Sequence, residues 1–535
     1  MSVRLALTGS PEGQTELSVN RRWGGASRGG DDIFDFAVRD GRGRRKEVAH
    51  PEPHRWLVHH APRESLLVSY RFAPNDHQVD SSPSGHRLPI LNDSLFHIFG
   101  ELGVVVPEHL DSEEPRRIEL AWNGFTEAGW SVACSFGVGA ERRVIDASLN
   151  DFRHAIFMAG ALEILRRDVE GRPLYIAIQS RDWNFTKRAF ADLASSIVAF
   201  ERAFFDDYDY PFFLITLIPV GGSGPGSSSL GGTGLTNSFA LMVSPETGLQ
   251  CDFAESKGVK GLLAHEMFHT WNGRVIKRQE PEELVYWFSE GFTDFYTRRL
   301  LYRAALIDVG EYVGSLNKAL ADLYTSPELN APNERILTHQ SSNHDVERLP
   351  YRRGDVVALL VDHAIRVASG GTQSLDDLMR GLVHDARERG HRISTESLLE
   401  RIELATDPDT ATRIRRIVDE GETPLLDRRI FEPCLGMRVE PVARFEIGFD
   451  FERSREERII VGVVPHSRAA AAGVRDGQEL LSWSVRRGDT RREVVLKVRD
   501  GDRERDVSYL PVGTSDPAPR FFTGDGSTKL DCTIL

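Results

Sequence analysis

The stretch GLLAHEMFHTWNGR (261–274) constrains this chain more than any other. His265 and His269 stand four residues apart, and Glu266 follows directly after the first. On an α-helix, positions i and i+4 lie one above the other on a single face. Two imidazoles at that spacing can point at one shared spot, with Glu266 one step around the helix. This is the zinc signature in which both histidines ligate and the glutamate acts as base toward water. So short a pattern also arises by chance, and its meaning rests on finding a third ligand.

The segment YWFSEGFTDFY (286–296) offers one. Residues 270–289 separate His269 from Glu290, enough chain for a turn and a return along a second, antiparallel helix. Glu290 would complete a His₂Glu site that leaves a fourth position open to water. Asp294, four residues on, lies on the same face and can accept the free N–H of a ligating histidine, fixing its tautomer. The bland alternative is that Glu290 and Asp294 solvate a helix surface. Against it stand Trp287, Phe288, Phe292, Phe295 and Tyr296, an aromatic setting in which carboxylates are costly unless paired or metal-bound.

The rest of the chain sets the frame. Its 535 residues exceed what one core supports and predict several domains. With 66 basic and 80 acidic side chains the net charge is −14, and no basic domain or aromatic-basic stripe points to nucleic acid. No run approaches the about 18 apolar residues of a membrane span. Cys134, Cys251, Cys434 and Cys532 are scattered singly, which indicates neither a cysteine zinc site nor a disulfide framework. The start MSVRLALTGSPEG is too polar for a secretory core, so the expectation is a cytoplasmic protein if Met1 is the true start, and a periplasmic or secreted one if a signal peptide was removed. The last residues, CTIL, fit both a prenylation box and a carboxyl-terminal peptide ligand, or simply end a disordered tail.

Residues 1–148 alternate in short segments broken by Gly, Pro, Asn and Asp, the pattern of an all-β domain, a sandwich by its spacing. The spans 149–165 and 186–205 read as helices, and 172–180 and 211–220 as strands. A flexible glycine-rich loop is expected at 221–234, followed by an exposed-edge or cleft strand at 237–244. Helices are predicted at about 256–272 and about 281–305, and nearly all of the chain from there to about 427 reads as helical. Alternation returns in 438–512, about the size of one small β-rich module.

HEMFHTWN together with WFSEGFTDFY resembles the glycyl aminopeptidase family of gluzincin metallopeptidases. That resemblance implies a multidomain α+β fold: an N-terminal β-sandwich (1–148), a thermolysin-like catalytic domain (149–305), a helical domain completing the site (306–430), a PDZ domain (436–513) and a tail (514–535). PYRRGDVVALLVDHAIR (350–366) resembles the family's Tyr-x-Lys-Gly helix start, with Arg353 where lysine is usual, and it puts Tyr351 on the tyrosine that stabilises the tetrahedral intermediate. GGTGLTNSFALM (231–242) resembles the substrate-binding strand, matching at Gly231, Gly232, Asn237 and Ser238 but carrying Gly234 where relatives have the glutamate that receives the substrate amine. FEIGFDFE (445–452) and IIVGVVPHSRAAAAGVRDGQELLSW (459–483) look like the carboxylate-binding loop, strand and small-residue helix of a PDZ domain, which captures peptide ends by strand addition.

The resemblance implies one Zn²⁺ per chain on His265, His269 and Glu290, with Glu266 and Tyr351 catalytic. Peptides or proteins would be the substrates, and peptide C-termini possible partners at the PDZ domain. The activity implied is that of an aminopeptidase on small N-terminal residues, weakly selective for a free amine because Gly234 carries no charge. An endopeptidase of the same fold is the alternative. A PDZ-containing peptide-binding scaffold with a non-catalytic zinc site is the alternative from another class, and it fits less well because structural zinc sites usually close all four positions with protein ligands.

Overall fold

The computed structural model describes all residues except 76–86, 222–229, 251–257, 341–342, 524–531 and 533–534. The described chain falls into two compact units, one running from Met1 to Leu249 and the other from Gln250 to Leu535. The division thus falls inside the 149–305 domain expected from sequence.

In the first unit, two antiparallel four-stranded sheets carry the period-2 pattern seen in the sequence. One orders Ser2–Thr8, Ser65–Phe72, Ile33–Asp40 and Arg45–Lys46; the other orders Val106–Pro107, Gln14–Ser18, Arg55–His59 and Val48–Glu52. Leu66, Val68, Tyr70 and Phe72 of the first sheet share a core with Leu17, Trp56 and Val58 of the second, as a sandwich requires. The segment 149–165 departs from expectation. Only Leu149–Arg153 is helical, closed by a Ser148–Asp151 capping box, and two strands follow, Ile156–Gly160 and Leu162–Val169. Ile156–Gly160 is buried throughout, and a fully buried strand shows no alternation by which sequence could tell it from a buried helix.

The last sheet of this unit orders Leu162–Val169, Arg172–Gln179, Phe213–Pro219, Ser238–Val243 and Leu230–Leu235. Arg172–Gln179 and Phe213–Pro219 run parallel, joined through the helix Lys187–Phe205 that Thr186 caps. Two expectations are corrected here. Leu230–Leu235, placed by sequence in a flexible loop, is the terminal strand; residues 222–229 of that loop lie outside the described chain. Ser238–Val243, expected at an exposed edge or in a cleft, is buried and paired on both sides. Its apolar FALMV run is what a fully covered strand needs.

The second unit is helical to residue 420, through Val259–Phe268, Gly291–Arg303, Val309–Tyr324, His344–Ala368, Leu375–Arg389, Thr395–Ala405 and Pro408–Arg415 among others. Among the described residues no helix is long and apolar enough to cross a membrane. Toward the C-terminus, Phe449, Ile460, Leu480, Leu496 and Val507 form a small separate core under the three-stranded sheet Glu479–Ser484, Val494–Asp500 and Arg503–Tyr509. The segment expected to run from a carboxylate loop into a strand instead enters the helix Phe451–Glu457, capped by the Asp450 side chain. Within 459–464 no regular strand forms: Ile459 bridges to Glu479, and Ile460, Val461 and Val464 make backbone hydrogen bonds to Gln478, Asp450 and Gly448.

Nor are the described residues of 514–535 a free tail. Val512–Thr523 pairs with Leu435–Phe445, and its Phe521 backbone exchanges two hydrogen bonds with the Asn317 side chain on Val309–Tyr324. Cys532 forms a disulfide with Cys434, and Leu535 is fully buried. A prenylated Cys532 is incompatible with that bond. Nothing in the sequence signals the pairing, because it depends on a Cα–Cα separation of 5.8 Å between residues 98 apart.

Candidate metal and catalytic site

His265 lies in the last turn of Val259–Phe268, whose Leu263, Ala264, Met267 and Phe268 are buried and fix the helix in place. His269 caps its C-terminus. The helix ends there rather than at 272. Asn272 leaves helical geometry (φ −85°, ψ 70°), and Gly273 has a φ of 154° that a side chain would strain. The departure has a visible cause. The fully buried Asn272 amide donates to the Phe288 and Ser289 carbonyls and to Thr293 Oγ1, each at 3.2 Å. One side chain thereby ties the end of the histidine helix to the segment that carries Glu290.

Glu290 sits at a break. The helix expected over 281–305 is a 3₁₀ turn (Glu282–Val285), a short helix (Tyr286–Ser289) and then Gly291–Arg303, with Glu290 between the last two. His265 Nε2, His269 Nε2 and Glu290 Oε2 converge. The two nitrogens are 3.0 Å apart, and they lie 3.4 and 3.3 Å from the carboxylate oxygen. A tetrahedral ion with bonds of about 2.0–2.1 Å has ligand-to-ligand edges of about 3.3 Å, so the three donors fit zinc. Among the described residues they are the group able to hold a metal ion.

Both far nitrogens are engaged as ligating histidines require. His265 Nδ1–H donates to Asp294 Oδ1 at 2.9 Å, and His269 Nδ1–H to the Asn272 carbonyl at 3.0 Å, leaving each Nε2 lone pair toward the shared point. The Asp294 contact is the one anticipated from i+4 spacing. Asn272 was missed, although it stands in the same HTWN stretch.

The electrostatics favour a cation at this point. Burial lowers the His265 pKa, but the hydrogen bonds and charges of Asp294 and Glu290 override it and leave it well above the histidine range. Burial raises Glu290, and the two imidazoles more than offset that, holding it well below the carboxylate range. Glu266 is 7% exposed on the same helix.

Tyr351 joins from His344–Ala368. It lies within that helix, not at its start, because Asn343 caps the chain eight residues earlier. Its ring stacks on His265 with centroids 6.2 Å apart and planes at 16°. Burial and the nearby Glu290 charge raise the phenol's pKa well above its usual value, so its proton is retained. Gly354 brings this helix close: a Cβ there would stand 1.8 Å from the Trp287 carbonyl oxygen, and one on Gly291 would stand 2.3 Å from the Gly354 Cα. Arg353, in the lysine position, is 2% exposed and donates to the Val418, Leu329 and Ala331 carbonyls. It ties the connection at 329–331 and the turn Arg416–Glu420 to this helix.

The segment expected to bind substrate is divided between two strands and the turn that joins them. Gly231 and Gly232 lie on the terminal strand Leu230–Leu235, and the Gly232 carbonyl accepts from Arg87. Asn237 is a turn residue with φ 48°. Ser238 is buried, its hydroxyl bonded to Ser135 Oγ and to the Thr236 carbonyl, so it is not available to a substrate. Substrate pairing along 237–242 is excluded, since both edges of that strand are occupied.

Residues 259–354 match the family model of the M61 glycyl aminopeptidases. The M61 match spans every residue of the cluster, from the histidine helix through Tyr351 to Gly354. A curated relative, glutamyl aminopeptidase from Sus scrofa, is 28% identical over 138 residues, which are 25% of this chain and 13% of that protein. Among solved structures, an aminopeptidase N family protein from Idiomarina loihiensis superposes with a TM-score of 0.71 over 98% of this chain and 95% of its own, at 16% identity, a likeness of fold. The resemblance to the M61 family read from the two motifs thus holds over the segment that builds the site.

Proposed function

We propose that this protein is a zinc metallopeptidase that hydrolyses peptide bonds, an aminopeptidase acting on small N-terminal residues with weak selectivity for the free amine. The observation that carries this reading is the convergence of His265, His269 and Glu290, each histidine held in the ligating tautomer by a separate acceptor. Zinc bound there would supply Lewis acidity toward water and the scissile carbonyl.

The chain's own groups do the rest. Glu266 takes a proton from the attacking water and delivers it to the leaving amine nitrogen. The Tyr351 hydroxyl, which retains its proton, donates to the oxygen that gains charge as the carbonyl becomes tetrahedral. Asp294 and the Asn272 carbonyl hold the imidazoles in line. In this reading the fold around the cluster is thermolysin-like.

The sheet and small core of 436–513 support a PDZ-type module for peptide ends, with Phe451–Glu457 a departure from the usual strand. Of the two compartments left open by the sequence, the Cys434–Cys532 bond favours the oxidising one.

The test is peptide hydrolysis by purified protein with and without a zinc chelator. Activity should vanish on chelation and return with added zinc. Glu266→Gln should keep its metal while kcat drops by about 10²–10⁴-fold. Near-normal turnover by Glu266→Gln would refute the mechanism.

A further inference from the structure

The arginines of His344–Ala368 are almost all accounted for. Arg352 pairs with Asp345 at 3.0 Å, Arg366 with Asp362 at 2.9 Å, and Arg353 binds three carbonyls. Arg348 differs. Among the described residues no carboxylate or carbonyl receives its guanidinium, which lies 4.1 Å from the centre of the Tyr351 ring. It is half-buried, as is Tyr351, so both remain open to a ligand. The same ring stacks on His265. By the sum of the two separations, the guanidinium carbon is within about 10 Å of the His265 ring, about three residues of extended peptide.

A guanidinium held by an aromatic face keeps its planar N–H edge for an in-plane partner, and the partner that fits two parallel N–H groups is a carboxylate. Resting on the peptidase reading above, we propose that Arg348 is a specificity-determining residue that binds a substrate carboxylate within about three residues of the scissile bond. The carboxylate is either the free C-terminus of a very short peptide or an Asp or Glu side chain.

The experiment compares matched pairs: Ala-Ala with its amide, and Ala-Glu-amide with Ala-Gln-amide. The wild type should favour the charged member of at least one pair by about tenfold or more in kcat/KM, chiefly through KM, as expected for losing a hydrogen bond to a charged group. Preference within the first pair alone identifies the C-terminal carboxylate as the ligand, and preference within the second the acidic side chain. Arg348→Gln should bring the ratio to within about twofold of unity, and Arg348→Lys should retain part of it. Calorimetric Kd values for the same pairs on zinc-loaded Glu266→Gln protein give the same ratios without turnover, so a failed peptidase reading is separable from a failed role for Arg348. The proposal is overturned if the wild type prefers the charged member of neither pair, or if Arg348→Gln, with an unchanged circular dichroism spectrum, keeps the preference.

Discussion

Two clusters of buried charge share the helices Gly291–Arg303 and His344–Ala368, and they are built on opposite terms. At the far end of the first helix, Arg298 makes a two-point bond to Asp355 (2.9 and 2.6 Å), Arg299 reaches Asp362 (3.1 Å) and Arg303 reaches Asp376 (2.7 Å). Tyr296 donates to Asp376, and the Leu375 amide to Asp362. Burial would raise Asp362 and Asp376, but their arginines hold both below the usual range. That end is closed, with each charge matched by a permanent opposite one.

At the near end, Glu290 and Asp294 meet only imidazoles among the described residues, and both Nε2 atoms face the same Glu290 oxygen. Carboxylates matched by titratable imidazoles instead of fixed cations, with three donors facing one point, form a set that suits a metal ion. The first cluster is closed by its own charges; the second presents the donor set that could hold a metal ion.

The contrast can be broken from either side. Removing one partner of a closed buried pair leaves an uncompensated charge, so Asp355→Ala should lower unfolding free energy by about 3–5 kcal/mol in denaturant titrations. The folded fraction should still bind zinc. Tyr351→Phe should do the reverse: stability little changed, kcat down by about 10²–10³-fold and KM nearly constant, as for a contact made mainly in the transition state. A loss confined to KM would make Tyr351 a binding residue.

Acid should separate the clusters as well. Zinc and proton compete for His265 Nε2, and its neighbouring carboxylates raise that nitrogen's proton affinity. Zinc affinity should therefore fall as pH drops from about 8, by about tenfold per unit for one proton displaced. Asp362 and Asp376 have lowered folded pKa values, so their stabilisation is present above the unfolded value of about 3.9 and is lost only as pH falls through the folded ones. Zinc should leave before the fold melts; simultaneous loss in a pH titration would contradict the separation.

The smallest effect concerns the substrate amine. In the proposed mechanism the cluster's carboxylates already have roles: Glu290 toward the ion, Asp294 on His265, Glu266 in proton transfer. Gly234 supplies none. A peptide and its N-acetylated twin should therefore be cleaved within about tenfold of each other. Complete resistance of the blocked peptide would mean another acid binds the amine.

The open cluster was largely legible in the sequence, because i,i+4 spacing is a local property and Glu290 announces itself by sitting among five aromatics. What supports the cluster was not. Asn272 acts on carbonyls 16 and 17 residues away, and the need for Gly354 appears only where the Trp287 carbonyl passes it. Arg353 was visible as a departure from lysine, but its carbonyl partners come from two distant segments, Leu329 and Ala331 in one connection and Val418 in the turn Arg416–Glu420. The strand at 156–160 was hidden by complete burial. The Cys434–Cys532 bond and the docking of Phe521 on Asn317 link positions with no shared local pattern.

The open cluster has the donor set of a metal site. Zinc content, measured by plasma mass spectrometry after loading and gel filtration, tests it most directly. The prediction is about one zinc per wild-type chain, and close to none in folded His269→Ala and Glu290→Ala. A wild type that emerges without zinc, or ligand variants that retain as much as the wild type, would contradict it.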